Sequence, residues 1–520
     1  MQNPAPPHEL PAGIRADDDA ADTASQRMAL YRKPLTSASE YIDSLRHRNL
    51  EVYLFGERLQ EPVEHPIIRP SINALAASYQ LALDEPELAT AVSPYTGSPV
   101  NRFLHIPTSA EDLVTKNRMQ RRMGQITGTC FQRCAGLDCI SVMHSLTYDI
   151  DQSHGTRYHD RFLALLEHWQ RHNLIIAAGM TDPKGDRSKA PHEQTDPDMF
   201  MRVVERSEHG LYVSGAKAHM TGGLNAHWLM VMPTMRLTAD DRDYAVIGAV
   251  PLQAAGLKFI YGRQSCDTRA LEGGSIDQGN ARYSGQEVLV IFDRVFIPWE
   301  HVLMDGEWEF ASVLVERFTD YHRASYVCKT GLGDVMVGAA ATIAEYNGVE
   351  SASHIKDKLV EMVHLNETIY SSGIASSHQA YALPSGAWIN DGMLSNVCKH
   401  NVTRFPYEIS RLAQDLAGGL MVTLPSEKDF ASSDTGELLE RFFKGRDDIP
   451  TEDRVRILRL IENMTLGRNA VGYLTESLHG AGSPQAQRIQ ILRNMDVDSK
   501  KAHARKLAGI IATDAPGEES

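Results

Sequence analysis

The hydrophobic period of this chain changes twice along its length, and few folds accommodate that order. Over residues 35–175 the pattern is helical. Ser109-Ala-Glu-Asp112 is arranged as a helix cap leading into Leu113 to Met123, and Tyr158 to Gln170 carries its apolar residues at helical spacing. From 176 to 300 the period becomes that of strands. Short β runs at Leu211-Tyr-Val-Ser, Trp228 to Met232, Tyr244 to Val250 and Val288 to Phe292 are separated by Gly, Asp and Asn. No clear amphipathic helix lies between them, which argues against a βαβ array. After Pro298 the helical pattern returns and holds to about 512, with Ser483-Pro484 as an N-cap followed by Pro at the first helical position. The expected fold class is α+β: a helical domain over 35–175, a middle β barrel or sandwich over 176–300, and a C-terminal helical domain over 301–512. The Pro- and Asp-rich stretch 1–34 and the polar end 513–520 read as flexible tails.

At 520 residues the chain exceeds one compact core, and its 42% hydrophobic and 23% charged content is that of a globular protein. A net charge of −15 argues against nucleic acid or an anionic membrane as general partner, while leaving room for a local basic pocket. Six cysteines at irregular positions do not form a disulfide framework and suit a reducing compartment. The N-terminus has no apolar leader-like core, and no run reaches the roughly 18 apolar residues of a membrane span, so a cytoplasmic protein is expected.

Cys130-Phe-Gln-Arg-Cys134 sets two thiols four residues apart, a spacing that a helix would bring to one face. His322-Arg-Ala-Ser-Tyr326-Val-Cys328-Lys329 adds two more candidate ligands far downstream. The spacing does not fit a zinc knuckle; three thiolates and one imidazole suit an iron–sulfur cluster with one unusual corner. Taken alone, the cysteine pair is more often small apolar filler on a buried helix than a ligand pair. Gly331-Leu-Gly333 lacks the spacing and preceding strand of a dinucleotide fingerprint and reads as close helix packing. The loop Met180-Thr-Asp-Pro-Lys-Gly-Asp-Arg187 offers Lys184, Arg187 and free amides to a phosphate or flavin edge, or is a plain surface turn. Thr221, among glycines, sets a hydroxyl where a flat ring can approach the backbone. Glu287 at the head of an apolar strand and Glu476 are candidate acids or bases if buried.

These segments, with Ile260 to Arg269, Lys399 to Tyr407 and Thr475 to Arg488, closely resemble the 4-hydroxybutyryl-CoA dehydratase family, in matching order from about Tyr41 to Gly509. The resemblance implies an acyl-CoA dehydrogenase-like layout, a homotetramer, FAD and a [4Fe-4S] cluster. It also implies dehydration of 4-hydroxybutyryl-CoA to crotonyl-CoA and isomerisation of vinylacetyl-CoA, with a short-chain acyl-CoA as substrate. The implied cluster ligands are Cys130, Cys134, His322 and Cys328. His322 is the implied base, Glu287 and Glu476 handle protons, and Tyr326 and Lys329 position or protonate the hydroxyl. Met180, Thr181, Asp182, Lys184, Gly185, Asp186 and Thr221 fall to the flavin, and Gln132 beside the cluster. Cys328 follows His322 by only six positions, which on an ideal helix misses the same direction by about 120°. A helix break or π-bulge is therefore expected between them. The alternatives are a cluster-free flavin-dependent aromatic hydroxylase, since the fold also resembles the oxygenase component of 4-hydroxyphenylacetate 3-monooxygenase, or an oligomeric scaffold without cofactors.

Overall fold

The structure is a computed structural model and describes residues 33–510. The tail expected over 1–34 lies outside them except for its last two positions, as does the end at 513–520.

The described chain opens with a short helix, Ala38–Ser44, followed by strands β1 (Glu51–Leu54) and β2 (Glu57–Leu59), within a stretch that reads as mostly helical, and continues into helices α1 (Arg69–Asp84) and α2 (Ala110–Thr127). The cap expected before α2 is present: the Ser109 hydroxyl accepts from the Asp112 amide at 3.1 Å. Helices α3 (Cys134–His154) and α4 (Tyr158–His172) follow. Then come β3 (Ile176–Gly179), β4 (Arg202–Arg206), β5 (Gly210–Thr221), β6 (Trp228–Val231), β7 (Val246–Pro251), β8 (Leu257–Tyr261), β9 (Glu287–Pro298) and β10 (Val302–Asp305). The C-terminal half is helical and is built mainly on α5 (Phe310–Ser325), α6 (Cys328–Tyr346), α7 (Ser353–His378), α8 (Gly392–Val402), α9 (Phe405–Ala417) and α10 (Thr451–Thr465).

Two sheets carry the middle region. One runs β2-β1-β8-β9-β5-β4, the other β10-β7-β6-β3; the β1/β8 and β3/β6 pairs are parallel and the rest antiparallel. β1 and β2 belong to the larger sheet because β1 supplies the parallel partner that covers the edge of β8, a long-range pairing that local periodicity does not show. The sheets meet through glycines: a side chain at Gly248 would come within 2.9 Å of Ile297, and one at Gly179 within 3.2 Å of Met220. One hydrophobic core runs through both sheets and the N-terminal helices, including Trp169 edge-on to Trp228; a second fills the C-terminal bundle around Met336, Ile409, Leu458 and Tyr473.

α2 packs on α6 at very short range. A β-carbon at Gly124 would lie 2.6 Å from the Cys328 carbonyl, and one at Gly331 2.1 Å from the Arg121 carbonyl. Close packing is thus what Gly331 provides, as its spacing suggests. Phe310–Tyr346 is long and apolar enough to cross a membrane by composition, yet 67% of its most apolar window is buried inside the protein. It is an interior element, and it is broken in the middle.

Candidate active site

The cysteine pair does not sit on one helical face. α2 stops at Gly128 in the left-handed region, residues 129–133 are non-helical, and α3 begins at Cys134, so Cys130 lies in the turn ahead of the helix. The physical cause is Gln132, held at φ +63° by its own side chain. Its Nε2 donates to the carbonyls of Ser71 (2.9 Å) and Ser284 (3.1 Å), and its Oε1 accepts from Asn225 (3.0 Å). The end of β5 presses on this turn: a side chain at Gly222 would come within 2.8 Å of the Gln132 β-carbon. Cys130 is likewise walled in, since β-carbons at Gly472 and Gly285 would stand 3.1 and 3.3 Å from its own.

The break expected between His322 and Cys328 is present. α5 ends at Ser325, Tyr326 and Val327 form a turn, and α6 starts at Cys328. Cys134 and Cys328 each open a helix, where the dipole favours a thiolate. Their thiols hydrogen-bond. Cys328, as acceptor, is held below its usual range chiefly by that bond, while the donor Cys134 is pushed well above it by the same bond and then by burial. Cys130 is pushed up by burial and by the Glu476 charge. All six cysteines are free. Among the described residues no group of three or more His, Cys, Asp or Glu could hold a metal ion.

Two carboxylates face this centre from opposite halves of the fold. Thr221 and Glu287 are cross-strand partners where β5 ends and β9 begins, and the Thr221 hydroxyl donates to Glu287 Oε1 at 2.6 Å. Burial, then the neighbouring Glu476 charge, push the Glu287 carboxyl well above its ordinary range. Glu476 follows a π-helical turn, Val471–Thr475. That turn offers its Gly472 carbonyl to Lys329 Nζ, which also donates to Glu476 Oε2 at 2.8 Å. Burial alone would discharge Lys329, but Glu476, Cys328 and Cys130 outweigh it and raise its pKa well above the ordinary value. One oxygen of each acid, Glu287 Oε2 and Glu476 Oε1, is buried and receives no donor from the rest of the protein, and the two carboxyls hydrogen-bond to each other through the proton that Glu287 keeps.

Tyr326 lies between two lysines, with Lys399 Nζ 4.0 Å and Lys329 Nζ 5.5 Å from the ring centre. Burial raises its phenol far above the usual range. A β-carbon at Gly480 would be 1.7 Å from its hydroxyl, so only glycine fits there. His322 packs against Tyr326 at 5.2 Å between ring centres, and its Nδ1 meets Asp138 Oδ2 at 2.7 Å.

The Met180–Arg187 loop is anchored more than it is open. The Met180 carbonyl accepts from Lys217 and the Thr181 carbonyl from the Ala218 amide. Asp182 is buried against Lys217 (2.7 Å), Thr234 (2.9 Å) and the Met201 amide (3.2 Å). Lys184 and Gly185 turn through the left-handed region at φ +92° and +53°, and Asp186 accepts from Ser188 at the surface. Burial lowers His219 and the nearby charge of Lys184 lowers it further, so the loop tip lies by the Thr221 end of β5.

The fold therefore gathers Cys130, Cys134, Cys328, Tyr326, Lys329, Glu287, Thr221 and Glu476, with His322 at the margin beside Tyr326. Asp182 and Asp186 spend their carboxylates within their own loop and its neighbours. Sequence reasoning missed Asp138, Lys399 and Gly480. Asp138 follows Cys134 by one helical turn, a spacing that could have marked it. Lys399 and Gly480 carried no signal beyond their place in the family-like segments.

Comparison with known proteins bears on this site. Residues 37–304 match the family model "4-hydroxyphenylacetate 3-hydroxylase N terminal", and 311–509 its C-terminal counterpart. A 4-hydroxybutyryl-CoA dehydratase/vinylacetyl-CoA-Δ-isomerase from Clostridium aminobutyricum is 52% identical over 92% of this chain and 100% of its own length. The chain belongs to this dehydratase branch of the 4-hydroxyphenylacetate 3-hydroxylase family. Among solved structures, an oxygen-tolerant archaeal 4-hydroxybutyryl-CoA dehydratase from N. maritimus matches with TM-score 0.91 and 65% identity, covering 93% of this chain and 97% of that one. The oxygenase component of 4-hydroxyphenylacetate 3-monooxygenase, complexed with FAD, matches with TM-score 0.80 over 91% of this chain and 98% of that one. At 23% identity it shares the fold alone. This dehydratase-family chain is accordingly an enzyme, with the gathered polar cluster as its candidate centre.

Proposed function

We propose that this enzyme dehydrates 4-hydroxybutyryl-CoA to crotonyl-CoA and isomerises vinylacetyl-CoA to the same product, using FAD and a [4Fe-4S] cluster. The observation that carries the reading is the convergence of three free thiols, two of them buried, with two carboxylates and an ammonium in one site. Cluster ligands are thiolates, and two of these thiols open helices that favour the anion, so the donor set fits the group. Cys130, Cys134, Cys328 and His322 would hold the cluster, and Thr221 with the 180–187 loop would border the flavin. When bound, FAD supplies one-electron oxidation and its return, and the cluster iron supplies a Lewis acid toward the departing hydroxyl.

The chain's own residues account for the protons. His322 Nε2, the ring nitrogen not spent on Asp138, takes the C3 proton of the acyl chain. Glu287 holds a proton on Oε2, because its Oε1 already accepts from Thr221. Glu476, paired with Lys329 through Oε2, is the acceptor through which that proton passes. Tyr326 remains a phenol and offers its O–H to the leaving hydroxyl. A cluster-free hydroxylase has no use for the thiol set. The acyl-CoA dehydrogenase-like arrangement of helical, β and helical parts, the homotetramer and the cytoplasmic location belong to the same proposal.

Purification without oxygen, with iron, sulfide and FAD counted per chain and crotonyl-CoA followed by chromatography, tests it. About four irons, four sulfides and one flavin, with turnover of both substrates, are expected. FAD without iron overturns the dehydratase reading in favour of cluster-free flavin chemistry.

A further inference from the structure

Asp138 accepts three side-chain hydrogen bonds beside the site and has no part in the chemistry above. It is fully buried in α3, one helical turn after Cys134, so the helix that presents a thiol also presents this carboxylate. Three donors from two other helices end on it. Lys116 of α2 meets Oδ1 at 2.7 Å, the Ser325 hydroxyl meets Oδ1 at 3.1 Å, and His322 Nδ1 meets Oδ2 at 2.7 Å. Lys116 is itself 2% exposed and has the Tyr321 ring 5.5 Å away, so its ammonium has no route to water.

A buried carboxylate against a buried ammonium stays ionised, and an ionised carboxylate only accepts. The proton in the His322 contact therefore lies on Nδ1, which fixes the tautomer and leaves the lone pair on Nε2. Both ends of that arrangement are pinned: Ser325 and His322 come from the last turn of α5, just before the helix break that turns Cys328 back toward Cys134.

We infer that Asp138, held in place by Lys116 and Ser325, is the positioning residue that orients the His322 ring and reserves Nε2 for iron and for the substrate proton. This rests on the reading of the site as a cluster-bearing dehydratase. Carboxylates that receive the far N–H of a metal-bound histidine commonly contribute roughly 10–100-fold to metal retention or activity. The wider prediction is local: loosening Asp138 should weaken one corner of the cluster and leave the thiolate corners and the flavin alone.

The test is Asp138→Asn in the 57Fe-loaded, anaerobically purified holoenzyme, with FAD per chain recorded beside it. Chelator challenge should strip one iron per chain roughly 10–100-fold faster than in the parent, with the other three retained, and FAD content should match the parent. The Mössbauer doublet of one iron should shift or broaden, a signature that a merely structural residue would not confine to one site. Uniform loss of all iron, or unchanged iron release with an unchanged spectrum, overturns the inference while leaving the dehydratase reading intact. A parent that carries FAD and no iron overturns both. Should D138N lose FAD as well, Lys116→Gln, which retains the carboxylate and the imidazole but removes the ammonium that holds them, is read the same way: loss confined to one iron supports the inference and uniform loss refutes it.

Discussion

Besides the Lys116–Asp138 pair, two buried lysine–carboxylate pairs lie near the site, and they are built differently. Lys217 and Asp182 meet at 2.7 Å, Lys329 and Glu476 at 2.8 Å. Around the first, every valence is used: Lys217 also donates to the carbonyls of Met180 (3.1 Å) and Met232 (2.8 Å), and Asp182 also accepts from Thr234 and the Met201 amide. Around the second, Glu476 Oε1 and the adjacent Glu287 Oε2 have only each other and the proton between them. The electrostatics differ in the same sense. Burial pulls Lys217 below its usual range, whereas Lys329 is driven above it by a surplus of negative neighbours. A closed pair ties a loop to a strand; an open one holds charge ready for something that arrives. Neutralising each lysine should therefore damage different things.

Lys329→Met carries the largest expected effect. It leaves Glu476 and the thiols without their cation, and crotonyl-CoA formation should fall by roughly 10²–10⁴ in steady-state assays. Lys217→Met strands Asp182 in an apolar setting and should cost about 3–5 kcal/mol of stability, read by denaturant unfolding. If K217M left stability untouched, or K329M unfolded the chain while sparing turnover, the distinction between the pairs would collapse.

The sequence disclosed these two regions unequally. The alternation of helical and strand periods located the main β runs, and Glu287 stands at the head of its strand as its neighbours suggest. β1 and β2 escaped, because β1 pairs with β8 across some two hundred positions and β2 joins the sheet only through β1. Cys130 and Cys134 were legible as a pair but not as a turn, since Gln132 adopts a left-handed backbone only through contacts from Ser71, Ser284 and Asn225. The break before Cys328 was deducible from six-residue spacing and helix geometry. Asp138 was not singled out: its place one turn after Cys134 is its one local mark, and its meaning comes from Lys116 and His322 on other helices.

The open pair owes its shape to Gly480. Gly480→Ala would place a methyl 1.7 Å from the Tyr326 hydroxyl, so the phenol must move away from the site. A displacement of about 1 Å in a positioned group costs turnover on the order of 10²-fold, with about 1–3 kcal/mol of overpacking in unfolding measurements. Near-parent kinetics in G480A would mean that the Tyr326 hydroxyl takes no part.

The smallest effect tests the open pair through pH. Burial and Glu476 hold the Glu287 carboxyl well above its ordinary value of 4.5, so the folded chain keeps a proton there that the unfolded chain releases near 4.5. Between those two pKa values the native state binds the extra proton. Its contribution is thus fully present below 4.5 and is lost as pH rises through the folded value, at up to about 1.4 kcal/mol per pH unit. Glu287→Gln has no proton to lose and should lack that slope. Unfolding free energies of parent and E287Q, measured from pH 5 upward, should therefore converge in E287Q's favour as pH rises. Parallel curves would place the shared proton elsewhere in the cluster and remove Glu287 from proton transfer.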